Sequence, residues 1–245
     1  MMLRQDSNQD GIEWITLTNP PVNVVTRALI EQLVAGLRRA ADDPGTRVVV
    51  LGGEGRHFCA GADLREQQRA WQSDDLGPAD LGEALYTALL DFPKPLIGMA
   101  HGAVAGAGLS IIACCDFAIA AAGTRISLPE IDVGVLGGIS HARAALGKAL
   151  VHYMALTGLP IEAEKLAHTG LFLEIVHPDS LRDRTAAIAR TIADKEPEAA
   201  RYTKQCMRAI EGLSQLAGYA REHALSKELR ASGVTDRLVS QFLQR

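Results

Sequence analysis

LIGMAHGAVAGAGLSIIACCDFAIA, residues 96–120, decides the fold. It opens on one short apolar run, Leu96–His101, and closes on another, Cys115–Ala120. Both are bounded by Gly, Pro or Asp and read as strands. Between them, small residues at 102–108 lead into an apolar segment that reads as a helix from about Gly106 to Cys114. Strands that alternate with helices in this way belong to an α/β core with a largely parallel sheet.

The alternation continues on both sides. Gly11–Thr18, Arg47–Gly52 and a shorter Phe172–Val176 carry the same strand signature. Between the first two, Thr26 is placed to cap a helix. Leu29, Ile30, Leu33, Val34 and Leu37 recur on one face of it, and Pro44-Gly45 stops it. A helix is expected after Ser140, with Ala145, Leu146, Ala149, Leu150, Tyr153 and Met154 facing inward, ending at Gly158. From Asp179 the pattern is helical to the end, broken by Pro197 and by Ser232-Gly233. The expected organisation is an α/β core over residues 1–195 and a C-terminal helical region over 196–245.

Composition narrows the function. A chain of 245 residues, 47% hydrophobic, buries roughly 70–75% of its unfolded surface without disulfide staples. Rings are scarce, with two Trp, four Tyr and five Phe against 23 Gly, so the core is aliphatic and closely packed. A net charge of −4 argues against nucleic acid as a partner, because phosphate binding needs a basic face. Four cysteines, two of them adjacent at 114 and 115, are too few for a disulfide framework. The start, Met1 to Asp10, has no apolar core of a signal peptide. Ala103–Cys115, the least polar stretch, falls short of the ~18 residues a membrane span requires. These features point to a cytoplasmic protein with no membrane partner.

Three segments could carry chemistry, and eleven of the 23 glycines fall within 52–61, 98–108 and 134–138. Gly52 to Leu64 leaves a strand through a glycine-rich turn that lets backbone amides approach a ligand. It lacks both the phosphate-loop and the dinucleotide patterns. Met99 to Ser110 presents a helix N-terminus made of small residues, whose free amides suit a developing oxyanion. Leu128 to Gly138 sets Glu130 and Asp132 in apolar, glycine-rich surroundings. Carboxylates there are costly unless paired or used for proton transfer. Taken singly, each segment also reads as ordinary structure: a tight turn, a packed helix and a solvated loop.

Together, in their order and spacing, they resemble the crotonase superfamily, the enoyl-CoA hydratases and isomerases. The resemblance runs from about Gly11 to the C-terminus. It covers Asn19-Pro-Pro-Val-Asn-Val24, Phe58-Cys-Ala-Gly-Ala-Asp-Leu64, His101-Gly-x-x-x-Gly-x-Gly108, Cys115 to Ala120, Pro129-Glu-x-x-x-Gly134 and the closing Arg237–Arg245. It implies a spiral of ββα units with a C-terminal helical trimerisation or lid region, assembling as a homotrimer or as a hexamer that is a dimer of trimers. It also implies an acyl-CoA thioester as substrate, with no separate cofactor because coenzyme A arrives on the substrate, and no metal.

Carried over by position, the enolate of the thioester would be held by the amides of Ala62 and Ala107. The family usually has glycine at the second position, and alanine keeps the donor unless the local φ is positive. Val24, Ala60, Asp63 and Leu64 fall where the family lines its coenzyme A pocket, and Gly108 follows the second donor. Asp63 suits closing the turn through backbone hydrogen bonds. Family hydratases hold water between two glutamates. Glu130 matches one of them, but Ser110 stands at the other, and a serine hydroxyl cannot replace a carboxylate in proton transfer. Moving a 3-enoyl double bond to the 2-position needs one base only, so the resemblance favours isomerisation with Glu130. Hydration would need a substitute such as Asp132, and the loss of Ser110's counterpart also leaves room for a non-catalytic acyl-CoA binder. Gly138 occupies the position of the dehalogenase nucleophile, which argues against that chemistry.

The remaining polar residues read as structural. His101 ends a strand, His141 starts a helix beside the pocket, and no metal-ligand spacing joins the histidines. The cysteines read as buried small hydrophobes. Arg27, Arg56 and Arg65 are the candidates for the coenzyme A phosphates. Leu213, Leu216, Leu225 and Leu229 offer apolar positions for contacts within or between subunits.

Overall fold

A computed structural model of the chain describes residues 2–7, 10–73 and 77–244, with backbone alone for 77–80. Met1, Asn8 and Gln9 of the polar start, and Arg245 of the closing segment, lie outside the described residues.

The elements run β1 (Leu3–Ser7), β2 (Ile12–Leu17), α1 (Arg27–Asp42), β3 (Val48–Gly53), α2 (Leu64–Gln72) and α3 (Gly77–Leu90). They continue through β4 (Leu96–Ala100), β5 (Ala103–Ala105), α4 (Ala107–Ala113), β6 (Phe117–Ala121) and β7 (Arg125–Ser127). A 3-10 turn at Pro129–Val133 precedes α5 (Ile139–Ala145), α6 (Lys148–Thr157), β8 (Ile161–Glu162) and β9 (Phe172–Val176). The chain closes with α7 (Leu181–Ala193), α8 (Pro197–Ile210), α9 (Gln215–Ala231) and α10 (Val234–Leu243).

One six-stranded sheet has the order β1-β2-β3-β4-β6-β9, antiparallel between β1 and β2 and parallel thereafter. Both faces are covered, as parallel sheets require. Alternate residues go to opposite sides. Val49, Leu51, Leu96, Ala100 and Ala118 join the core with α1 and α4, while Val48, Val50, Ile97, Met99 and Ile119 meet Leu181, Ala189 and Ala193 of α7. Gly98 lets α4 sit close, since a Cβ there would stand 2.9 Å from Ile112 and 3.0 Å from Ala118.

The chain winds as repeated ββα turns. In each, one strand joins the large sheet, and the next segment joins a second row before the chain turns helical. The first such segment is Cys59, bridged in parallel to Val104. The next is β5, and the third is β7, parallel to β5 and antiparallel to the short β8. This is the spiral that the family resemblance implies.

Several expectations need correction. The segment after Ser140 is two helices, because Leu146 is extended at the end of α5 and Gly147 caps α6. As a result Ala149 and Tyr153 are exposed, while Leu146, Val151 and Met154 are buried. The strand expected from Cys115 begins at Phe117. Asp116 instead receives the amide of Leu96 at 2.7 Å and the ammonium of Lys204 at 3.0 Å. Cys115 and Cys206 are half-buried rather than buried, unlike Cys59 and Cys114. The C-terminal helices break a third time between α8 and α9, around Gly212 at φ +73°. Among the described residues no helix is long and apolar enough to cross a membrane.

Candidate active site

Each turn of the spiral ends its second-row segment and then places a chemically useful group. Ala62 follows Cys59, Ala107 follows β5, and Glu130 follows β7. Parallel alignment of the three segments therefore delivers the three groups to one side.

The first turn is held on two sides. Cys59 exchanges backbone bonds with β5, its N–H donating to Ala103 O at 3.2 Å and its carbonyl accepting from Ala105 N at 3.0 Å. Val25 N donates to Gly61 O at 2.8 Å, and Asp63 N donates to Val25 O at 3.0 Å. The intervening Ala62 amide is turned the other way. Asn23 secures the approach, its side-chain amide donating to the carbonyls of Glu54, His57 and Phe58 at 2.9–3.1 Å. Asp63 caps α2, its Oδ1 accepting from Arg65 N at 2.9 Å and Glu66 N at 3.0 Å.

Ala107 opens α4, so its N–H belongs to the first helical turn, which has no intrahelical acceptor. The positive φ at this corner falls on Gly106, at +51°, and Ala107 is not among the positive-φ residues. Alanine there keeps its donor without strain. Gly108 packs against the first turn: a Cβ would come within 2.7 Å of Cys59 O. Among the described residues neither the Ala62 N–H nor the Ala107 N–H has a backbone acceptor.

Glu130 sits on the 3-10 turn that Pro129 starts and left-handed Gly134 ends. Its Oε1 lies against Gly106, and its Oε2 is buried with no hydrogen-bond partner among the described residues. Burial pushes its carboxyl above the ordinary glutamate value of 4.5.

These groups line one cavity of about 420 Å³, together with Ala60, Asp63, Leu64, Asp132 and Gly138. Asp132 is exposed on the same wall and approaches Gly158, where a Cβ would be 2.8 Å from Oδ2. Three of the residues singled out from sequence are not on that wall. Val24 gives way to its neighbour Val25, Gly108 is buried behind the turn, and Ser110 is fully buried. Of the three arginines, Arg27 lines the cavity and Arg56 and Arg65 do not.

Sequence reasoning missed Tyr86 and Trp71, both on the wall. Tyr86 comes from α3, a helix distant in sequence from every glycine-rich turn. Its phenol hydrogen-bonds the Ser110 side chain and is pushed up to about 12, chiefly by burial. The His141 ring packs on the Tyr86 ring with centroids 4.2 Å apart. His101 Nε2 pairs with Gly55 O at 2.9 Å, a structural contact. Burial pushes the Cys59 thiol up to about 11, which leaves it unreactive. Among the described residues no three His, Cys, Asp or Glu side chains converge.

Known proteins match this chain along its length. A profile of the enoyl-CoA hydratase/isomerase family matches residues 7–240. The chain is 32% identical to 2,3-dehydroadipyl-CoA hydratase of Escherichia coli (strain K12), over 98% of this chain and 94% of that protein. It is 29% identical to (7aS)-7a-methyl-1,5-dioxo-2,3,5,6,7,7a-hexahydro-1H-indene-carboxyl-CoA hydrolase of Rhodococcus jostii (strain RHA1), over 100% and 95%. Among solved structures, enoyl-CoA hydratase of Mycobacterium smegmatis superposes with a TM-score of 0.92 at 25% identity, covering 100% of this chain and 96% of that one.

Proposed function

The chain belongs to the enoyl-CoA hydratase/isomerase family, and we propose that it works through a thioester enolate with Glu130 as its single acid and base. On this reading the thioester oxygen accepts hydrogen bonds from the Ala62 and Ala107 amides. Those bonds strengthen as the enolate forms, so they lower the barrier rather than merely tighten binding. Glu130 takes a proton from C2 of a 3-enoyl-CoA and returns it at C4, which leaves the 2-enoyl product.

The observation that carries the reading is the Glu130 carboxyl. Its Oε2 is buried and without a partner, on the wall that also holds the two free amides. Leaving such a group unpaired costs on the order of 1–3 kcal/mol, a cost tolerated where the group acts on a ligand. The serine at 110 supports one carboxyl rather than two. Its hydroxyl is spent inside the protein, on Gly106 O and Tyr86.

Hydration is the second reading, favoured by the relative named as a 2,3-dehydroadipyl-CoA hydratase and by Asp132 on the cavity wall. Wild type and Glu130→Gln, each offered 3-enoyl-CoA and 2-enoyl-CoA, separate the two. Isomerisation gives 3-enoyl turnover that Glu130→Gln abolishes, whereas efficient hydration of the 2-enoyl thioester favours the second. Thioester binding without turnover of either favours a non-catalytic binder.

Assembly as a homotrimer or a hexamer belongs to the same proposal. Leu216, Tyr219, Phe242 and Leu243 on α9 and α10 are exposed and apolar, which supports subunit contacts there. Light scattering gives the mass.

A further inference from the structure

The Ala62 and Ala107 amides end two neighbouring segments, and a side chain joins those segments where they start. Cys59 and β5 form a regular parallel ladder, in which Cys59 N donates to Ala103 O at 3.2 Å and Ala105 N to Cys59 O at 3.0 Å. Bonds in such a ladder are evenly spaced, so the next rung back would run from Ala103 N to His57 O. That carbonyl accepts from Asn23 Nδ2 at 2.9 Å instead. The register has also slipped by one at this point, with Phe58 N donating to His101 O at 2.9 Å. Ala103 N donates to the His57 ring, 3.1 Å from Nδ1. The side chain thus supplies the rung that the backbone leaves out. A ring nitrogen that accepts carries no proton, so the neutral ring holds its proton on Nε2. Gly102 leaves room for this approach, since a Cβ there would stand 2.7 Å from Nδ1.

Resting on the enolate reading, we propose that His57 is a positioning residue, whose Nδ1 completes the ladder between the two segments and so fixes the spacing of the Ala62 and Ala107 amides. His57 does not line the cavity, so it acts through the backbone. Ala62 ends the segment that His57 opens, and Ala107 follows the strand that Ala103 opens. A shift of one segment against the other changes the distance between the donors. Bonds to the thioester oxygen feel that shift most when the oxygen carries charge, so the loss falls on kcat rather than on KM.

Exchange of the C2 hydrogens of butyryl-CoA with solvent deuterium, in wild type, His57→Leu and His57→Asn, tests the proposal. Leucine keeps the bulk and has no acceptor. Asparagine is smaller but places Oδ1 as many bonds from the backbone as Nδ1. His57→Leu is expected to lower kcat for exchange about 3- to 10-fold, the worth of one neutral hydrogen bond, with KM unchanged. His57→Asn should restore most of that rate. NMR of the ring nitrogens in wild type should find the His57 proton on Nε2, a result that needs neither variant to fold. Unchanged exchange in His57→Leu, equal losses in both variants, a loss that falls on KM, or a proton on Nδ1 each overturns the proposal while leaving Glu130's role standing. Wild type that binds butyryl-CoA without exchanging its C2 hydrogens overturns the enolate reading, and this proposal with it.

Discussion

The backbone of Gly106 lies directly against the Glu130 carboxylate: a Cβ added at Gly106 would stand 2.5 Å from Oε1. The residue that precedes one amide donor is thus also the surface on which the proposed base rests. Gly106 holds φ at +51°, a conformation that L side chains rarely adopt. Gly106→Ala is expected to lose about 1–3 kcal/mol of stability in urea denaturation, and to lower kcat at least tenfold, because the carboxyl and the Ala107 amide are displaced together. A variant that denatures and turns over like wild type contradicts this coupling.

Glu130 makes a signed prediction about pH. Burial raises its folded pKa above the ordinary 4.5, so between those two values the folded chain holds a proton that the unfolded chain has released. Stability attributable to this group therefore falls as pH rises through that window. Glu130→Gln is expected to raise Tm at pH 7 and to have little effect at pH 4. Activity runs the opposite way, since the base must be ionised: the acidic limb of kcat/KM should have its midpoint above 4.5. Thermal melts at the two pH values and a pH–rate profile check both signs.

Asp63 is expected to act through the turn it closes. Its carboxylate caps α2 through the amides of Arg65 and Glu66, directly after the Ala62 donor. Asp63→Ala should cost about 0.5–2 kcal/mol of stability and lower kcat, whereas Asp63→Asn, which can still cap, should retain most of both. Equal losses in the two variants would show that charge rather than capping matters.

Lys204 ties α8 to the sheet. Its ammonium is buried at 4% exposure, 3.0 Å from Asp116 Oδ2 and 2.7 Å from Lys94 O. Removing the ammonium leaves Lys94 O without its donor, while the exposed Asp116 carboxylate keeps the Leu96 amide. Lys204→Ala is expected to destabilise by about 1–3 kcal/mol, without changing the KM for the thioester in the fraction that stays folded. The pair lies away from the cavity, so a changed KM would mean that α8 shapes the site.

The large sheet was legible because its strands are short Val, Ile and Leu runs buried on both faces, as Val48–Leu51 and Leu96–Ala100 are. The turns were legible because Gly106 and Gly108 stand where backbone meets backbone or carboxylate. Elements whose sequence carries no such constraint stayed hidden. β1, with the residues LRQDS, is an edge strand that buries only Leu3. The second row is made of pieces two or three residues long, below any periodicity. The break at Leu146-Gly147 sits inside a continuous apolar helical pattern. Tyr86 could not be found from motifs, because its place on the wall depends on how α3 packs. The same packing takes Ser110 out of the cavity and gives it to Tyr86.

The central claim is that Glu130 removes a C2 proton while the Ala62 and Ala107 amides hold the enolate. Exchange of the C2 hydrogens of butyryl-CoA with deuterium from solvent measures that step alone, because a saturated thioester can be neither isomerised nor hydrated. Wild type should catalyse the exchange, and Glu130→Gln should bind butyryl-CoA as before while slowing exchange by about 10²- to 10⁴-fold. Exchange that persists at the wild-type rate in Glu130→Gln, or that wild type fails to catalyse while binding the thioester, would contradict the account.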